Sequence, residues 1–152
     1  MSERDITTRL ARPSDHDAWR ELFTAYGVFY ETHFEASVLD GVWAWILDPG
    51  HPLNAFVAEA QGALVGFAHV RMQPDTFTAG PGWFLDDLYT DPEYRGAGVG
   101  TALLDAVAAH ARQHGGGTLR WITAADNERA QRVYDRIATR TTWVTYEQET
   151  SE

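Results

Sequence analysis

The 152-residue chain contains no cysteine and, among its twelve basic residues, no lysine. Without cysteine there is no disulfide framework, no thiolate metal site and no thiol nucleophile, so any acyl transfer must run without a cysteinyl intermediate. Without lysine the ATP-type loop G-x-x-x-x-G-K-[ST] is excluded. No apolar run approaches the roughly 20 residues that cross a bilayer. The opening MSERDITTRLARPSD also lacks the apolar stretch of a secretory signal. The expectation is a cytoplasmic protein without membrane contact. Positive charge is scarce as well. A net charge of −10 sets nucleic acid aside, because its phosphates would be repelled, and suits cationic small molecules. Four arginines, Arg129, Arg132, Arg136 and Arg140, nonetheless crowd one segment.

The chain has no repeat, linker or low-complexity stretch, and its length can bury one core, so a single domain over 1–152 is expected. Residues 5–11 alternate and predict a strand. Ser14, with Asp17 three positions on, reads as a capping-box variant opening a helix whose stripe is Trp19, Leu22, Phe23 and Tyr26. A second helix is predicted over 34–47, stopped by Asp48-Pro49-Gly50. Two β-type runs flank Gln61-Gly62 as a hairpin. GWFLDDLYT (82–90) is the fourth strand and 98–114 the third helix, with Val99, Leu103, Ala106, Val107 and His110 as its apolar stripe. Gly115-Gly116-Gly117 ends that helix. TLRWITA (118–124) is a strand, NERAQRVYDRIA (127–138) a helix and TTWVTYEQE (141–149) a closing strand. The order β-α-α-β-β-β-α-β-α-β predicts an α/β fold, a mixed central sheet with helices on both faces.

Between the fourth strand and third helix lies DPEYRGAGVG, three glycines at alternate positions opening a helix. The dinucleotide fingerprint G-x-G-x-x-G fails on spacing. What remains, Arg95-x-x-Gly98-x-Gly100, lets backbone N–H groups approach an anion at the positive end of a helix, and a pyrophosphate suits that place.

With Leu88-Tyr89-Thr90 before this loop and N-x-x-A-x-x-x-Y after it (Asn127, Ala130, Tyr134), the chain resembles the GNAT acetyltransferases. The likeness covers most of the chain and peaks from Trp83 to Ile137. It is closest in motif to the diamine and polyamine type and to the branch acting on histone tails or D-amino acids. It implies acetyl-CoA as cofactor, held by Leu88, Tyr89, Thr90, Arg95, Gly96, Ala97, Gly98, Val99, Gly100, Thr101 and Asn127. A strand amide within 88–90 would hold the oxyanion. The resemblance makes Tyr134 the acid for the departing thiolate; on residue pattern alone it is equally a core tyrosine. It places an acidic base or amine anchor at Asp86. Strand alternation sends Asp86 and Asp87 to opposite faces, leaving Asp87 to cap a loop or pair with an arginine. Asn127 reads as a contact to the pantetheine arm or simply as a helix N-cap, and Arg95 as a phosphate contact or a solvated charge. Arg129, Arg132 and Arg136 read as a contact to the CoA 3′-phosphate or, in preference, as a solvated helix face.

Aromatics and carboxylates in TAYGVFYETHFE, with Tyr26, Tyr30 and Glu31 foremost, suit an ammonium-bearing substrate or form a core stripe with an acidic edge. His33 and His69 are candidate bases, though single histidines usually are not, and without His and carboxylates at ligand spacing no metal is expected. The implied reaction is direct acetyl transfer from acetyl-CoA to a primary amine of a small molecule, polyamine or amino-acid-like. The alternatives are a protein or peptide N-acetyltransferase and a non-catalytic acyl-CoA-binding domain. The chain departs from the family pattern at its end, where a single strand replaces two. The sheet edge would then lack a partner, and a homodimer pairing or exchanging C-terminal strands is expected.

Overall fold

A computed structural model describes residues 5–151. The chain falls into two compact units, the first reaching Trp121 and the second starting at Ile122. In the first, β1 (Thr7–Leu10), α1 (His16–Phe29), α2 (Ala36–Leu47), β2 (Leu53–Ala60), β3 (Ala63–Asp75), β4 (Gly80–Thr90), α3 (Val99–Gln113) and β5 (Leu119–Arg120) follow one another. The second holds α4 (Glu128–Ile137).

The sheet runs β1-β2-β3-β4-β5. Strands β1 to β4 are antiparallel neighbours and β4–β5 is parallel, which makes the sheet mixed as expected. Tight turns explain the meander. Gln61 and Gly62 both take positive φ, 53° and 78°, the backbone that lets a two-residue hairpin follow the strand twist.

The two faces of β3 are covered by different helices. Even positions meet α3: a Cβ on Gly66 would lie 2.8 Å from Val99 Cγ1 and 3.3 Å from Leu103 Cδ1. Odd positions meet α1, with Phe67 and His69 ringed by Trp19, Phe23 and Tyr26. Leu39, Val42, Trp43 and Ile46 of α2 complete that layer. Each fully buried large apolar side chain here contributes about 1.5–3 kcal/mol relative to exposure.

Three local expectations differ from the structure. The box at Ser14 does not form: Pro13–Asp15 makes a short 3-10 turn, and Asp17 bonds His16 at 3.0 Å. The entry is tied instead by Asp15, which accepts from the Arg12 amide at 2.7 Å and from Arg9, itself bonded to Glu59. The guanidinium of Arg9 holds the Asp15 carboxyl below its usual range. The strand expected over 118–124 is reduced to two residues. The closing strand expected over 141–149 does not form, and 138–151 carry neither helix nor strand.

Candidate active site

The glycine loop is built to receive an anion. After a 3-10 turn at Pro92–Tyr94, capped by the Asp91 carboxylate accepting from the Glu93 amide at 2.9 Å, the chain passes through Gly96 and Gly98 with φ of 82° and 86°. Those left-handed conformations favour glycine, and a Cβ at either would meet nothing within 4 Å. Helical bonding starts with the Ala102 amide donating to the Gly98 carbonyl at 3.0 Å. The amides of Val99, Gly100 and Thr101 therefore open the helix without intrahelical acceptors, at the positive end of its dipole. Val99 is buried and anchors the turn, while Arg95, Gly96 and Gly98 are exposed. The Arg95 guanidinium lies 5.9 Å from the Phe29 ring. This cradle fits a diphosphate.

The end of β4 stands beside it, with Thr90 Oγ1 3.9 Å from where a Gly100 Cβ would sit. Pairing between β4 and β5 covers only Trp83↔Leu119 and Phe84↔Arg120. Beyond Phe84 the strand edge has no β5 partner. The Asp91 amide donates to the Val65 carbonyl at 2.8 Å, so antiparallel alternation turns the Leu88 and Thr90 amides toward that open edge. Among the described residues, β4 carries no β5 ladder at 88–90, the stretch where the oxyanion amide was expected.

The carboxylates are arranged differently from the alternation argument. The β3–β4 register slips between His69↔Asp87 and Val70↔Leu85, so Asp86 is an extra residue, a β-bulge. The bulge turns both carboxylates to the α1 face. Asp86 accepts from Arg71 Nε at 2.8 Å, and Asp87 Oδ2 lies 2.8 Å from His69 Nδ1. Arg71 also bonds Gln73 at 3.1 Å and lies over Phe84. The arginine expected at Asp87 therefore sits on Asp86, and Asp87 has a histidine. His69 is buried, and its Nε2 accepts from the Trp19 indole N–H at 2.9 Å. His69 had been considered only as a lone base, and Arg71 and Trp19 were passed over as functional residues. The signal for them was a histidine and an arginine at alternate positions inside the apolar run LVGFAHVRM, where a polar group needs a partner.

Around this face Tyr26 packs against Tyr30, Phe67 and Tyr89, with ring centroids 5.0, 5.8 and 6.0 Å away. Burial pushes the Tyr89 phenol up, against the nearby Arg95 charge, so it stays neutral. Tyr30 and Glu31 are exposed at the end of α1, Glu31 with a positive φ of 59°. His33 is exposed. In the second unit, Asn127 caps α4, its Oδ1 accepting from the Ala130 amide at 3.2 Å. Tyr134 is half-buried on that helix, and Arg140 pairs with Asp135 at 2.8 Å. Arg129, Arg132 and Arg136 are exposed. Among the described residues no cluster of three or more His, Asp or Glu could hold a metal, and no helix is long and apolar enough to cross a membrane.

Comparison with known proteins agrees with this geometry. Residues 16–138 match the family described as acetyltransferase (GNAT). The D-amino-acid N-acetyltransferase HPA3 of Saccharomyces cerevisiae is 31% identical, over 93% of this chain and 89% of its own. An aminoglycoside N(6')-acetyltransferase type 1 of Stenotrophomonas maltophilia is 34% identical, over 72% of this chain and 69% of its own. Among solved structures, an aminoglycoside acetyltransferase AAC(6')-Iy bound to a bisubstrate analogue superposes with a TM-score of 0.84 at 22% identity, covering 97% of this chain and 99% of the other.

Proposed function

The chain belongs to the acetyltransferase (GNAT) family and is an acetyl-CoA-dependent N-acetyltransferase, and on that premise we propose that its acceptor is the primary amine of a small, amino-acid-like molecule or polyamine. The observation that carries this reading is the acidic, aromatic face of β3 and β4. Asp86 and Asp87 share it with one cation, Arg71, so one negative charge is left to draw an ammonium group. Tyr26 and Tyr89 offer ring faces beside it. The relative that acts on D-amino acids supports an acceptor carrying a carboxylate as well, and Arg71 is the group on this face that would meet it.

Acetyl-CoA supplies the activated acetyl group. The amides of Val99, Gly100 and Thr101 would hold its diphosphate, with Gly96, Ala97, Gly98 and Arg95 shaping the loop. The Leu88 or Thr90 amide would take the charge developing on the carbonyl oxygen. Tyr134 is proposed as the acid that protonates the departing thiolate, and Asn127 as a pantetheine contact in addition to its capping role. Tyr26, Tyr30 and Glu31 are proposed acceptor contacts. The whole chain would act as one cytoplasmic catalytic unit, and as a homodimer.

Screening amines for CoA release tests the reading, with a D-amino acid, lysine, spermidine, an aminoglycoside and a basic peptide as the panel. Turnover of the small amines above the peptide is expected, and activity confined to the peptide would overturn it. On the best amine, Tyr134→Phe should lower kcat by about 10- to 100-fold with acetyl-CoA affinity near wild type. Unchanged kcat would remove Tyr134 from the chemistry.

A further inference from the structure

We propose that His69 is a positioning residue that makes Asp87, rather than Asp86, the carboxylate taking the proton from the acceptor amine. The inference rests on the small-amine reading above and assigns roles within it. An indole N–H only donates, so the 2.9 Å contact from Trp19 Nε1 leaves His69 Nε2 as the bare, accepting nitrogen. The imidazole is then neutral, and its one proton sits on Nδ1, donated to Asp87 Oδ2 at 2.8 Å.

The surroundings lock this arrangement. Trp19 and His69 are 0% and 1% exposed, and the imidazole is walled by Phe67 and Phe23 at 4.7 and 4.9 Å between centroids. A proton added at Nε2 would set two N–H groups against each other, breaking the Trp19 bond inside a packed layer. His69 therefore neither cancels the charge of Asp87 nor relays a proton outward. It fixes one carboxylate oxygen.

The two carboxylates differ in what an arriving ammonium would find. Asp86 is matched by a guanidinium, which the ammonium would have to displace. Asp87 is held by a neutral donor, so its charge is unmatched, and its side chain is 22% exposed. One proton passes from the ammonium to Asp87 and on to solvent through that exposed edge. The freed lone pair attacks the thioester carbonyl carbon, the C–N bond forms and the C–S bond breaks. The second nitrogen proton ends on the thiolate.

The test is a mutant cycle read by kcat on the best amine, with acetyl-CoA affinity by calorimetry and thermal melts as controls. Asp87→Asn should lower kcat by about 100-fold or more, and Asp86→Asn by less. His69→Asn places an amide N–H where Nδ1–H stood, whereas His69→Leu does not, and both orphan the Trp19 N–H equally. His69→Leu should lose about tenfold in kcat with acetyl-CoA affinity unchanged, and His69→Asn should recover most of it. In the Asp87→Asn background, His69→Leu should cost nothing further. Equal losses for the Leu and Asn variants, or additive losses in the double variant, would overturn the positioning role of His69 and leave the acceptor reading intact. Should His69→Leu not fold, Trp19→Phe takes its place in the cycle under the same criterion. A wild-type chain inactive on every amine would overturn the acceptor reading, and the assignment of His69 and Asp87 with it.

Discussion

His110 sits where rings converge, 5.4 Å from Phe56, 5.5 Å from Trp83 and 4.1 Å from the stacked His114. Burial first, and then the neighbouring His114, push its pKa below the ordinary value of about 6.5. His114 Nδ1 is occupied in donating to the His110 carbonyl at 2.7 Å, which holds the two rings together. Because the folded state resists protonating His110 while the unfolded chain does not, the unfolded state binds more protons below about pH 6.5. Stability from this group is fully present above that pH and is lost as pH falls toward the lowered folded value. We expect the melting temperature to drop between pH 7 and pH 5, and His110→Leu to flatten part of that drop. A His110→Leu profile parallel to wild type would show that the ring is not the source.

At the scale of elements, the anion cradle depends on how closely α3 approaches the sheet. Gly66 makes that approach possible: a Cβ there would lie 2.7 Å from the Tyr89 carbonyl oxygen and 2.8 Å from Val99 Cγ1. The first contact is backbone, so β3 and β4 would have to part locally, and the second presses on the first turn of α3, where the anion-binding amides are. Gly66→Ala should destabilise the fold by about 1–3 kcal/mol and weaken acetyl-CoA binding more than it lowers kcat at saturation. Unaltered acetyl-CoA affinity in that variant would refute the coupling. These elements were legible in the sequence where their causes are local. Gln61-Gly62, the 115–117 glycines and the stripe of Val99, Leu103 and Val107 each carry their own backbone or period signal. The bulge at Asp86 was not legible, because alternation assumes an unbroken register and one extra residue reverses every face assignment near it. The strand expected over 118–124 pairs with β4 only at Leu119 and Arg120, and its β-forming composition could not show where the ladder stops.

At the scale of the whole molecule, the far C-terminal segment carries three large exposed side chains close together. Trp143, Val144 and Tyr146 are 85%, 73% and 91% exposed, and the segment is neither helix nor strand. Yet TTWVTY has the β-branched and aromatic content of a strand. A strand forms only against a partner, so a segment with strand chemistry and no ladder is what a protomer awaiting a second copy would present. We propose that two copies pair or exchange this segment, covering the aromatics and completing the sheet edge in each. The wild-type chain should then scatter light as a dimer at micromolar concentration. Val144→Pro, which removes a ladder donor without altering the first unit, should yield a monomer whose Trp143 fluorescence stays solvent-like. A monomeric wild type, or a Val144→Pro variant that remains dimeric, would rule out the C-terminal segment as the joint.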